Sequence, residues 1–486
     1  MSAVGERATS TTSRAWLLAV LALSFLYFFG LTDAGLVGPD EPRYASIGRE
    51  MARSRDWITP RLWGEPWFEK PPLLYWMTAS ALKLGLGEDL APRLPVALAS
   101  VVFLIFYYRL LRAEFGRRAA LFASAILATS ILWVAFSQVG VTDLPMSAAF
   151  SAAMLLGLRW LSTGDRRWLA GAAFFLGVSA LAKGLVPLAL ALPLLWAGRR
   201  RWRDWFRPAP LAAFAVTVLP WYVACASRHG QAFLSEFFGR HHFARFTSGE
   251  LLHPQPFWFY IPVLVAGLYP WSPMLAALFR RKLYAGQGRT FLLLWAGFGL
   301  VFFSASAGKL PGYLLPLFPA LAALAGVALD EMKNTGWLLA ACCLLLPLTP
   351  VASATFPHAF AEGLSRTTIT GWSWLWAVTC MLSAIVVWWL ETAGKRGIAT
   401  AAVVVLATLS IFHLKVSALP ELDRQASARP LWRKIMADPA AVCVDGIHRN
   451  WRYGLNYYSV TLLPECGDAP RPTRIRQLPG SPPFVD

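Results

Sequence analysis

Long apolar runs, separated by short polar stretches rich in arginine and lysine, extend along most of the chain. A helix that crosses a bilayer needs about 20 predominantly apolar residues, and runs of roughly this length recur between residues 15 and 416. The strands of a membrane β-barrel would instead alternate apolar and polar side chains over about ten residues. The pattern therefore predicts an all-α polytopic membrane protein.

We predict about thirteen membrane-spanning helices from these runs and from the charges that flank them. They lie near residues 15–33, 91–111, 119–139, 144–161, 168–182, 184–198, 209–226, 257–279, 290–307, 312–329, 336–354, 372–390 and 398–416. The pair at 168–198 is predicted to be a hairpin that turns at Lys183-Gly184, because basic residues flank it on both sides. Composition agrees, since 56% of the residues are hydrophobic and only 15% are charged.

The net charge of +18 would by itself suit a nucleic-acid partner. The lysines and arginines fall mainly in short loops between apolar runs, however, as the positive-inside rule expects of cytoplasmic loops. We therefore expect membrane lipids around this protein and no nucleic acid. The polar residues 1–14 are expected to be cytoplasmic, and the first apolar run is expected to be a retained span and not a cleaved signal.

On this topology two long polar loops are external, residues 34–90 and residues 227–256. The first is expected to be the catalytic loop. Within it, Glu41–Arg53 is predicted to be a helix that lies on the membrane, with Asp40 as its N-cap. A second helix, Pro72–Leu86, is predicted not to cross the membrane, because a crossing there would place the next basic cluster outside.

The helix Glu41–Arg53 has an apolar face formed by Tyr44, Ile47 and Met51. This spacing of three and four residues is that of an amphipathic helix with one face buried.

Beyond the last span the chain is polar again, and we predict two parts: a transmembrane domain over residues 1–418 and a small external α/β domain over residues 419–486. In the second part, Ala440–Val444 and Val460–Leu463 are predicted to be neighbouring strands around a helix at Asn450–Ser459. These strands would bring Cys443 and Cys466 together, and disulfides persist in an oxidising external compartment. A disulfide between the two is therefore expected.

Charged and aromatic side chains are concentrated in the first external segment. It contains Gly38-Pro39-Asp40-Glu41-Pro42-Arg43-Tyr44 and, further on, Phe68-Glu69-Lys70-Pro71-Pro72. A carboxylate can act as a general base and an ammonium can bind a phosphate. Such a set suits a charged, partly apolar substrate. Simpler roles remain open, since Lys70 could be a snorkelling lysine and Asp143, at the outer end of a later span, could be an N-cap.

These motifs resemble those of the bacterial aminoarabinose (4-amino-4-deoxy-L-arabinose) lipid A transferases and protein O-mannosyltransferases. Members of this group are polyprenyl-phosphate-dependent glycosyltransferases with the C-type membrane fold (GT-C). The resemblance covers roughly residues 15–320. It extends to Arg240-His241-His242-Phe243-Ala244-Arg245-Phe246, to the segment from His253 to Tyr260, and to Gly308-Lys309-Leu310-Pro311-Gly312-Tyr313.

The resemblance implies a glycosyltransferase of the bacterial inner membrane with its active site on the periplasmic side. Such an enzyme would move a sugar from a polyprenyl-phosphate donor to a lipid A, glycan or protein acceptor, with inversion at the anomeric carbon. Undecaprenyl phosphate is the expected carrier, and no nucleotide cofactor is expected.

The resemblance also implies roles for individual residues. Asp40 would deprotonate or orient the acceptor, and the other candidate catalytic residues are Asp143 and Glu41. The candidate substrate-binding residues are Arg43, Tyr44, Lys70, Arg245, Lys309 and Tyr313. A divalent metal ion (Zn, Mg or Mn) could lie between Glu69 and His242 or His253. A structural zinc site normally has more protein ligands than two, so water or substrate would have to complete this one, and a lone external histidine can also be ordinary polar surface.

A transporter or lipid flippase is the main alternative. Transporters tend to carry ionisable residues near the middle of the bilayer and often consist of repeated halves. In this chain the acids cluster at one external edge, and we see no internal repeat. A non-catalytic scaffold for polysaccharide assembly would not need the combination of acid, base and phosphate-binding groups.

Overall fold

The structure, a computed structural model, describes residues 24–244, 255–435, 438–478 and 481–486, with only the backbone of residues 241–244. Most of it is helical, so the predicted all-α class is confirmed. Between residues 94 and 426 the α-helices are Leu94–Phe115, Arg117–Ala128, Ile131–Ser137, Asp143–Thr163, Arg166–Lys183, Val186–Leu190, Leu192–Ala197, Pro208–Leu234, Tyr260–Gly267, Gln287–Ala305, Phe318–Glu331, Gly336–Leu345, Leu348–Glu362, Trp374–Thr392 and Arg396–Ala426.

Short helices of the 3-10 and π types join these elements. The 3-10 helices are Arg199–Phe206, Phe257–Phe259, Ser272–Phe279, Arg281–Tyr284, Pro311–Leu317, Leu364–Arg366 and Pro439–Ala441, and Ser235–Ala244 is a π-helix. Because Ser235–Ala244 follows Pro208–Leu234 directly, residues 227–244 are helical apart from a break at Gly230, where φ is 54°. The prediction of a loop over all of 227–256 was therefore wrong for this part.

The multi-pass membrane architecture is confirmed, but the predicted number of spans is not. Within the described residues, seven helices are long and apolar enough to cross a membrane, or up to ten if each bent pair counts as one span. The predicted span 119–139 bends by 61° between Ala128 and Ile131, and the span 257–279 bends by 116° between Gly267 and Ser272. Apolar runs alone do not reveal such breaks, because both halves of a bent helix are equally apolar.

The predicted hairpin at 168–198 turns at Gly184, where the backbone has a φ of 74°. Its second arm is the shorter apolar helix Val186–Ala197. At 1.5 Å per residue such a segment is well short of the roughly 30 Å of a bilayer core.

Two helices form the centre of the membrane region. The spans Asp143–Thr163 and Pro311–Glu331 are each 94% buried inside the protein, whereas Trp374–Thr392 is only 22% buried. Side chains as apolar as those of Trp374–Thr392 leave no unsatisfied polar group when they face lipid. Close packing in the centre depends on small residues: a Cβ on Gly326 would lie 2.5 Å from the backbone nitrogen of Ala123.

Basic residues from loops that were predicted to be cytoplasmic meet at one end of the helices. Arg118 pairs with Asp330 at 3.3 Å, and Arg396 donates to the carbonyl of Leu329 at 2.7 Å. These contacts join loops far apart in sequence. The grouping of basic loops on one side, which the positive-inside rule predicted, therefore agrees with the packing.

At the opposite end, the segment 34–90 folds into the helices Asp40–Ser54 and Leu73–Lys83 and a small hairpin of strands Arg61–Leu62 and Glu65–Pro66. The first helix begins at Asp40 with Pro39 as N-cap, so the prediction of Asp40 as N-cap was wrong by one residue. The second has 11 residues and is too short to cross a membrane, as predicted.

The predicted apolar face of Asp40–Ser54 is buried: Tyr44 is 3% exposed, Ile47 0% and Met51 1%. It packs against protein and not on a membrane surface, since the ring of Tyr44 lies 6.0 Å from that of Tyr75 on the second helix. The face was predicted correctly, but its partner was not.

The C-terminal part contains the helices Arg429–Ile435 and Arg449–Tyr458 and a three-stranded sheet. In the sheet, Val442–Asp445 pairs in parallel with Thr473–Arg476, which pairs antiparallel with Phe484–Val485. Val460–Leu463 is not a strand, so that prediction was wrong. The predicted disulfide is present between Cys443 and Cys466, because the adjacent Glu465 forms a bridge with Val444.

The helix Arg449–Tyr458 lies on the external segment. The carbonyl of Tyr457 accepts a hydrogen bond from Arg49 (2.8 Å), and the hydroxyl of Tyr458 donates one to Asp89 (2.7 Å). The C-terminal part therefore lies on the same side as residues 34–90. Since the helix Arg396–Ala426 runs through residue 418, the exact division into 1–418 and 419–486 stays a prediction.

Candidate functional site

Four charged side chains of the external segment form one connected group, which we call the loop cluster: Asp40, Arg43, Glu69 and Lys70. Arg43 Nη2 lies 2.7 Å from Asp40 Oδ1 and 3.0 Å from Glu69 Oε2. Lys70 Nζ lies 3.0 Å from Glu69 Oε1. The cluster therefore holds two cations and two carboxylates in contact.

Local sequence explains how these side chains meet. Asp40 and Arg43 are three residues apart on a helix and so share one face. Glu69 and Lys70 precede Pro71-Pro72, and a residue before proline is held extended. The two side chains are thus presented to the helix Asp40–Ser54 just before the next helix begins.

Exposure separates the members of the loop cluster. The side chain of Asp40 is 46% exposed, whereas those of Arg43, Glu69 and Lys70 are only 10–12% exposed. Asp40 is therefore the carboxylate that a ligand from outside can reach most readily.

Aromatic rings surround the guanidinium of Arg43. Its Cζ lies 5.2 Å from the ring centre of Tyr44, 5.8 Å from that of Trp67 and 5.5 Å from that of Tyr453. Burial by itself lowers the pKa of Arg43, but the neighbouring Tyr44, Glu69 and Asp40 outweigh it and raise the pKa above its ordinary value. Arg43 is thus a permanently charged group in a fixed position.

Glu41, the neighbour of Asp40, has a different environment. Its side chain is fully buried and accepts four hydrogen bonds, two from Arg93 (2.7 and 2.8 Å) and one each from the backbone N–H groups of Val37 and Gly140. Arg93 also donates to carbonyls of residues 31–35. All of these contacts are internal, and they fix the start of the helix that carries Asp40.

A second group, which we call the span cluster, lies at the ends of membrane helices. Asp143 is the first residue of its helix, with Thr142 as N-cap, and its Oδ1 lies 2.7 Å from Lys183 Nζ. The Lys183 ammonium lies 4.6 Å from the ring centre of Tyr313. An acid, a cation and a phenol therefore come together from three separate elements.

A shared contact relates the two clusters. Gly140, whose N–H donates to Glu41, comes three residues before Asp143 in the same turn. The predicted catalytic candidates Asp40, next to Glu41, and Asp143, just after Gly140, are therefore linked through the hydrogen bond between Gly140 and Glu41. Lys309 is 5% exposed and donates to the carbonyls of Gln255 (3.1 Å) and Ser306 (2.5 Å), contacts that shape the turn before Tyr313.

The predicted metal site is described only in part. Arg245 and His253 lie outside the described residues, as does the side chain of His242. Glu69 faces two cationic side chains. Among the residues that the structure describes, no group of three or more His, Cys, Asp or Glu side chains is placed to hold a metal ion.

Three residues at these clusters were not predicted: Arg93, Lys183 and Tyr453. Lys183 carried a usable signal, because ionisable residues are rare within apolar segments and tend to pair with one another there. Arg93 follows Pro92 at the start of a span and could be taken for an ordinary flanking charge. Tyr453 belongs to the C-terminal part, and nothing in its own segment indicates contact with residue 43.

Comparison with known proteins finds a family model and several curated transferases that are similar to this chain. Residues 69–223 match the family described as dolichyl-phosphate-mannose-protein mannosyltransferase. The chain is 34% identical over 339 residues to an undecaprenyl phosphate-alpha-4-amino-4-deoxy-L-arabinose arabinosyl transferase of Pseudomonas aeruginosa, covering 66% of this chain and 60% of the relative. A transferase of the same name from Edwardsiella ictaluri is 34% identical over 324 residues. The chain thus spans about 60% of the length of the curated relatives it matches.

The fold is also similar to a solved structure over nearly its whole length. The crystal structure of ArnT from Cupriavidus metallidurans bound to undecaprenyl phosphate has a TM-score of 0.76 and 25% identity, and the match covers 96% of this chain and 93% of that one. The arabinosyltransferase EmbB of Mycobacterium smegmatis shares the fold at a TM-score of 0.51. The predicted resemblance and the GT-C fold are confirmed, and the chain is a multi-pass protein of the bacterial inner membrane.

Proposed function

Because this chain is a relative of the bacterial aminoarabinose transferases, we propose that it transfers a sugar from undecaprenyl phosphate to an acceptor at the external face of the inner membrane. The sugar we propose is 4-amino-4-deoxy-L-arabinose, the one that the names of the matched transferases carry. The acceptor we propose is lipid A, as the resemblance of the motifs implies. The proteins named above as similar to this chain are transferases, so the comparisons do not favour the alternative of a transporter.

The observation that carries this proposal is the loop cluster. Asp40 is the exposed acid, and it touches an arginine that is joined through Glu69 to Lys70. A carboxylate beside two cations suits a reaction in which an acceptor is activated on one side and a phosphate leaves on the other.

In the proposed reaction an acceptor oxygen forms a bond to the anomeric carbon while the bond from that carbon to the phosphate oxygen breaks. The electron pair of the broken bond leaves with undecaprenyl phosphate, so the configuration inverts. Lys70 and Arg43 stabilise the charge on the leaving phosphate. If the acceptor is a hydroxyl, its proton passes to Asp40. If it is a phosphate, no base is needed and Asp40 orients it.

The span cluster is proposed to hold the other side of the donor. Lys183 and Tyr313 lie together beside Asp143 at the ends of membrane helices, where the head group of a lipid-linked donor would lie. Arg245 and Lys309 remain predicted contributors, and Glu41 is proposed to position Asp40 and not to touch substrate. A divalent ion at Glu69 with His242 or His253 remains a prediction, and no step of the proposed reaction depends on it.

A transfer assay with purified protein in detergent tests the proposal. Undecaprenyl-phosphate aminoarabinose and lipid A are incubated with the protein, and lipid A is analysed by mass spectrometry. We expect lipid A to gain one aminoarabinose and undecaprenyl phosphate to be released. Because detergent solution has no membrane gradient, a transporter would give no product. Absence of product with this donor and acceptor would contradict the proposed substrates.

The same analysis of lipid A and envelope glycans from cells with and without the protein tests the acceptor. A glycan that loses its sugar in cells without the protein, while lipid A is unchanged, would replace lipid A as the acceptor.

A further inference from the structure

Tyr453 is the residue through which the C-terminal part reaches the loop cluster. Its ring lies 5.5 Å from the guanidinium carbon of Arg43 and stacks on Trp63, with ring centres 5.5 Å apart and an angle of 21° between the planes. Trp63 lies in the hairpin between the strands Arg61–Leu62 and Glu65–Pro66. Two nearly parallel aromatic rings from separate elements thus stand next to the arginine that holds Asp40.

The position of Trp63 is conformationally costly. Its backbone has a φ of 55°, in the left-handed region that residues with a Cβ rarely adopt. The two-residue loop Trp63-Gly64 of this hairpin requires a positive φ at both positions, and Gly64 has a φ of 86°. The tight turn therefore fixes where the ring of Trp63 stands.

Tyr453 is held just as firmly from its own side. One turn further along the same helix, Tyr457 binds Arg49 and the carbonyl of Glu88, and Tyr458 binds Asp89 and the N–H of Leu36. The pair of rings is therefore preorganised, which lowers the entropic cost of binding a ligand against it.

Two buried indole donors at this site have no hydrogen-bond partner within the described part of the chain: Trp63 Nε1, in the ring pair itself, and Trp67 Nε1, whose ring lies next to Arg43. A buried polar group without a partner calls for an explanation, and one explanation is a ligand that supplies the acceptor. A sugar ring complements both features of this site. Its hydroxyl oxygens can accept hydrogen bonds from the N–H groups, and its face of C–H bonds can pack on a flat aromatic ring.

We propose that Trp63 and Tyr453 form a stacking platform for a sugar ring of the acceptor, so that the C-terminal part helps to select the acceptor. This inference rests on the proposed function, because it assigns the platform to the acceptor of that reaction. The acceptor side is favoured by the origin of the rings. One comes from an exposed external hairpin and the other from an external helix, whereas the donor lipid arrives from the membrane helices that carry Lys183.

Binding of lipid A, measured by native mass spectrometry or surface plasmon resonance on the full-length protein in nanodiscs, tests the platform without requiring turnover. Tyr453→Phe keeps the ring and should bind like the wild type. Tyr453→Ala and Tyr453→Leu remove it, and we expect about three- to tenfold weaker binding. Tyr453→Leu keeps apolar volume against Trp63 and therefore remains informative if the alanine variant unfolds.

Asn450→Ala is the matched control, because Asn450 is exposed on the same helix and lines a separate cavity of about 320 Å³. It should bind lipid A normally. Equal binding by wild type and Tyr453→Leu would overturn the platform, as would no binding of lipid A by the wild type or an equal loss in Asn450→Ala.

Transfer measured on the same preparations separates this inference from the proposed function. We expect Tyr453→Leu to raise the apparent constant for lipid A and to leave that for the donor unchanged. Transfer with an unchanged acceptor constant would leave the reaction standing and overturn the platform. Binding that depends on Tyr453, in a protein that transfers no sugar, would leave the platform standing and overturn the reaction.

Discussion

Asp40 and Glu41 are adjacent carboxylates with different surroundings. The side chain of Asp40 is 46% exposed and touches one arginine, whereas that of Glu41 is fully buried and bound on both oxygens by Arg93. Successive residues on a helix point about 100° apart, so one can face a ligand while the other faces the core. The sequence named both as candidates and gave the role of base or orienting acid to Asp40, but only the packing shows that Glu41 is bound internally.

Two substitutions in the loop cluster separate activation of the acceptor from binding of the donor. Asp40→Asn is nearly isosteric, so we expect it to keep the donor constant. Its turnover should fall by about 100- to 10,000-fold if Asp40 is a general base. Lys70→Ala loses a charge-assisted hydrogen bond to phosphate, so turnover over the donor constant should fall about ten- to hundredfold. Initial rates over a range of donor concentrations check both. Transfer like the wild type by Asp40→Asn would remove Asp40 from the mechanism and make Asp143 the next candidate.

Glu41→Gln tests whether the neighbouring carboxylate is structural. It leaves the charge of buried Arg93 without its partner, and breaking a buried ion pair costs about 3–5 kcal/mol. We expect thermal unfolding of the purified protein in detergent to begin several degrees lower. Asp40→Asn is the control at the adjacent residue: its side chain is half-exposed and Arg43 keeps Glu69 as a partner, so stability should change by about 1 kcal/mol or less. A stable Glu41→Gln protein without activity would instead support a direct catalytic role for Glu41.

At the scale of elements, the site depends on a helix that is distant in sequence. Arg449–Tyr458 packs on Asp40–Ser54, and its Tyr453 completes the ring of aromatic side chains around Arg43. The domain that carries this helix is small, and its own apolar core contains few residues, among them Val442, Val444 and Ile475. A covalent cross-link is a common means of stabilising such a domain.

The number of free thiols tests the disulfide directly. The chain has 6 cysteines, and the structure pairs Cys443 with Cys466 and leaves Cys225, Cys342, Cys343 and Cys380 free. Alkylation of the denatured protein should therefore add four groups before reduction and six after it, as read by intact mass. Six groups without reduction would rule out the bond.

Replacing both bonded cysteines by serine should destabilise the C-terminal domain by about 2–4 kcal/mol. Hydrogen exchange of Val442–Asp445 and Arg449–Tyr458 would report it, with Cys380→Ser as a control outside the domain.

At the scale of the whole molecule, the ion pairs form two groups, one at each end of the helices. Arg118, Asp330 and Arg396 meet at one end, whereas the loop cluster and Arg449–Tyr458 meet at the other. The C-terminal domain and the segment 34–90 therefore share one side of the membrane, whatever the number of spans between them.

Reporter fusions test the sidedness. A reporter after Lys395 should be cytoplasmic, because that loop is basic. One after Ala426, where the last long helix ends, should be external, as should one within the segment 34–90. Finding the fusions at Lys395 and Ala426 on the same side would contradict the topology.

Apolar run length determined that this is an all-α membrane protein, and the spacing of apolar residues determined which face of Asp40–Ser54 is buried, while charge placement predicts the side on which each loop lies. These properties follow from local composition, because each side chain has its own preference for lipid or for water. Motif order was also enough to indicate the family resemblance.

Only the tertiary structure decided where apolar helices bend, that Asp143 pairs with Lys183, that Glu41 is held by Arg93, and that Tyr453 lies over Arg43. The three pairings are contacts between segments tens to hundreds of residues apart. The pattern within one segment does not show which distant segment it will contact. An arginine that becomes buried and one that stays at the surface can therefore stand in the same kind of local sequence.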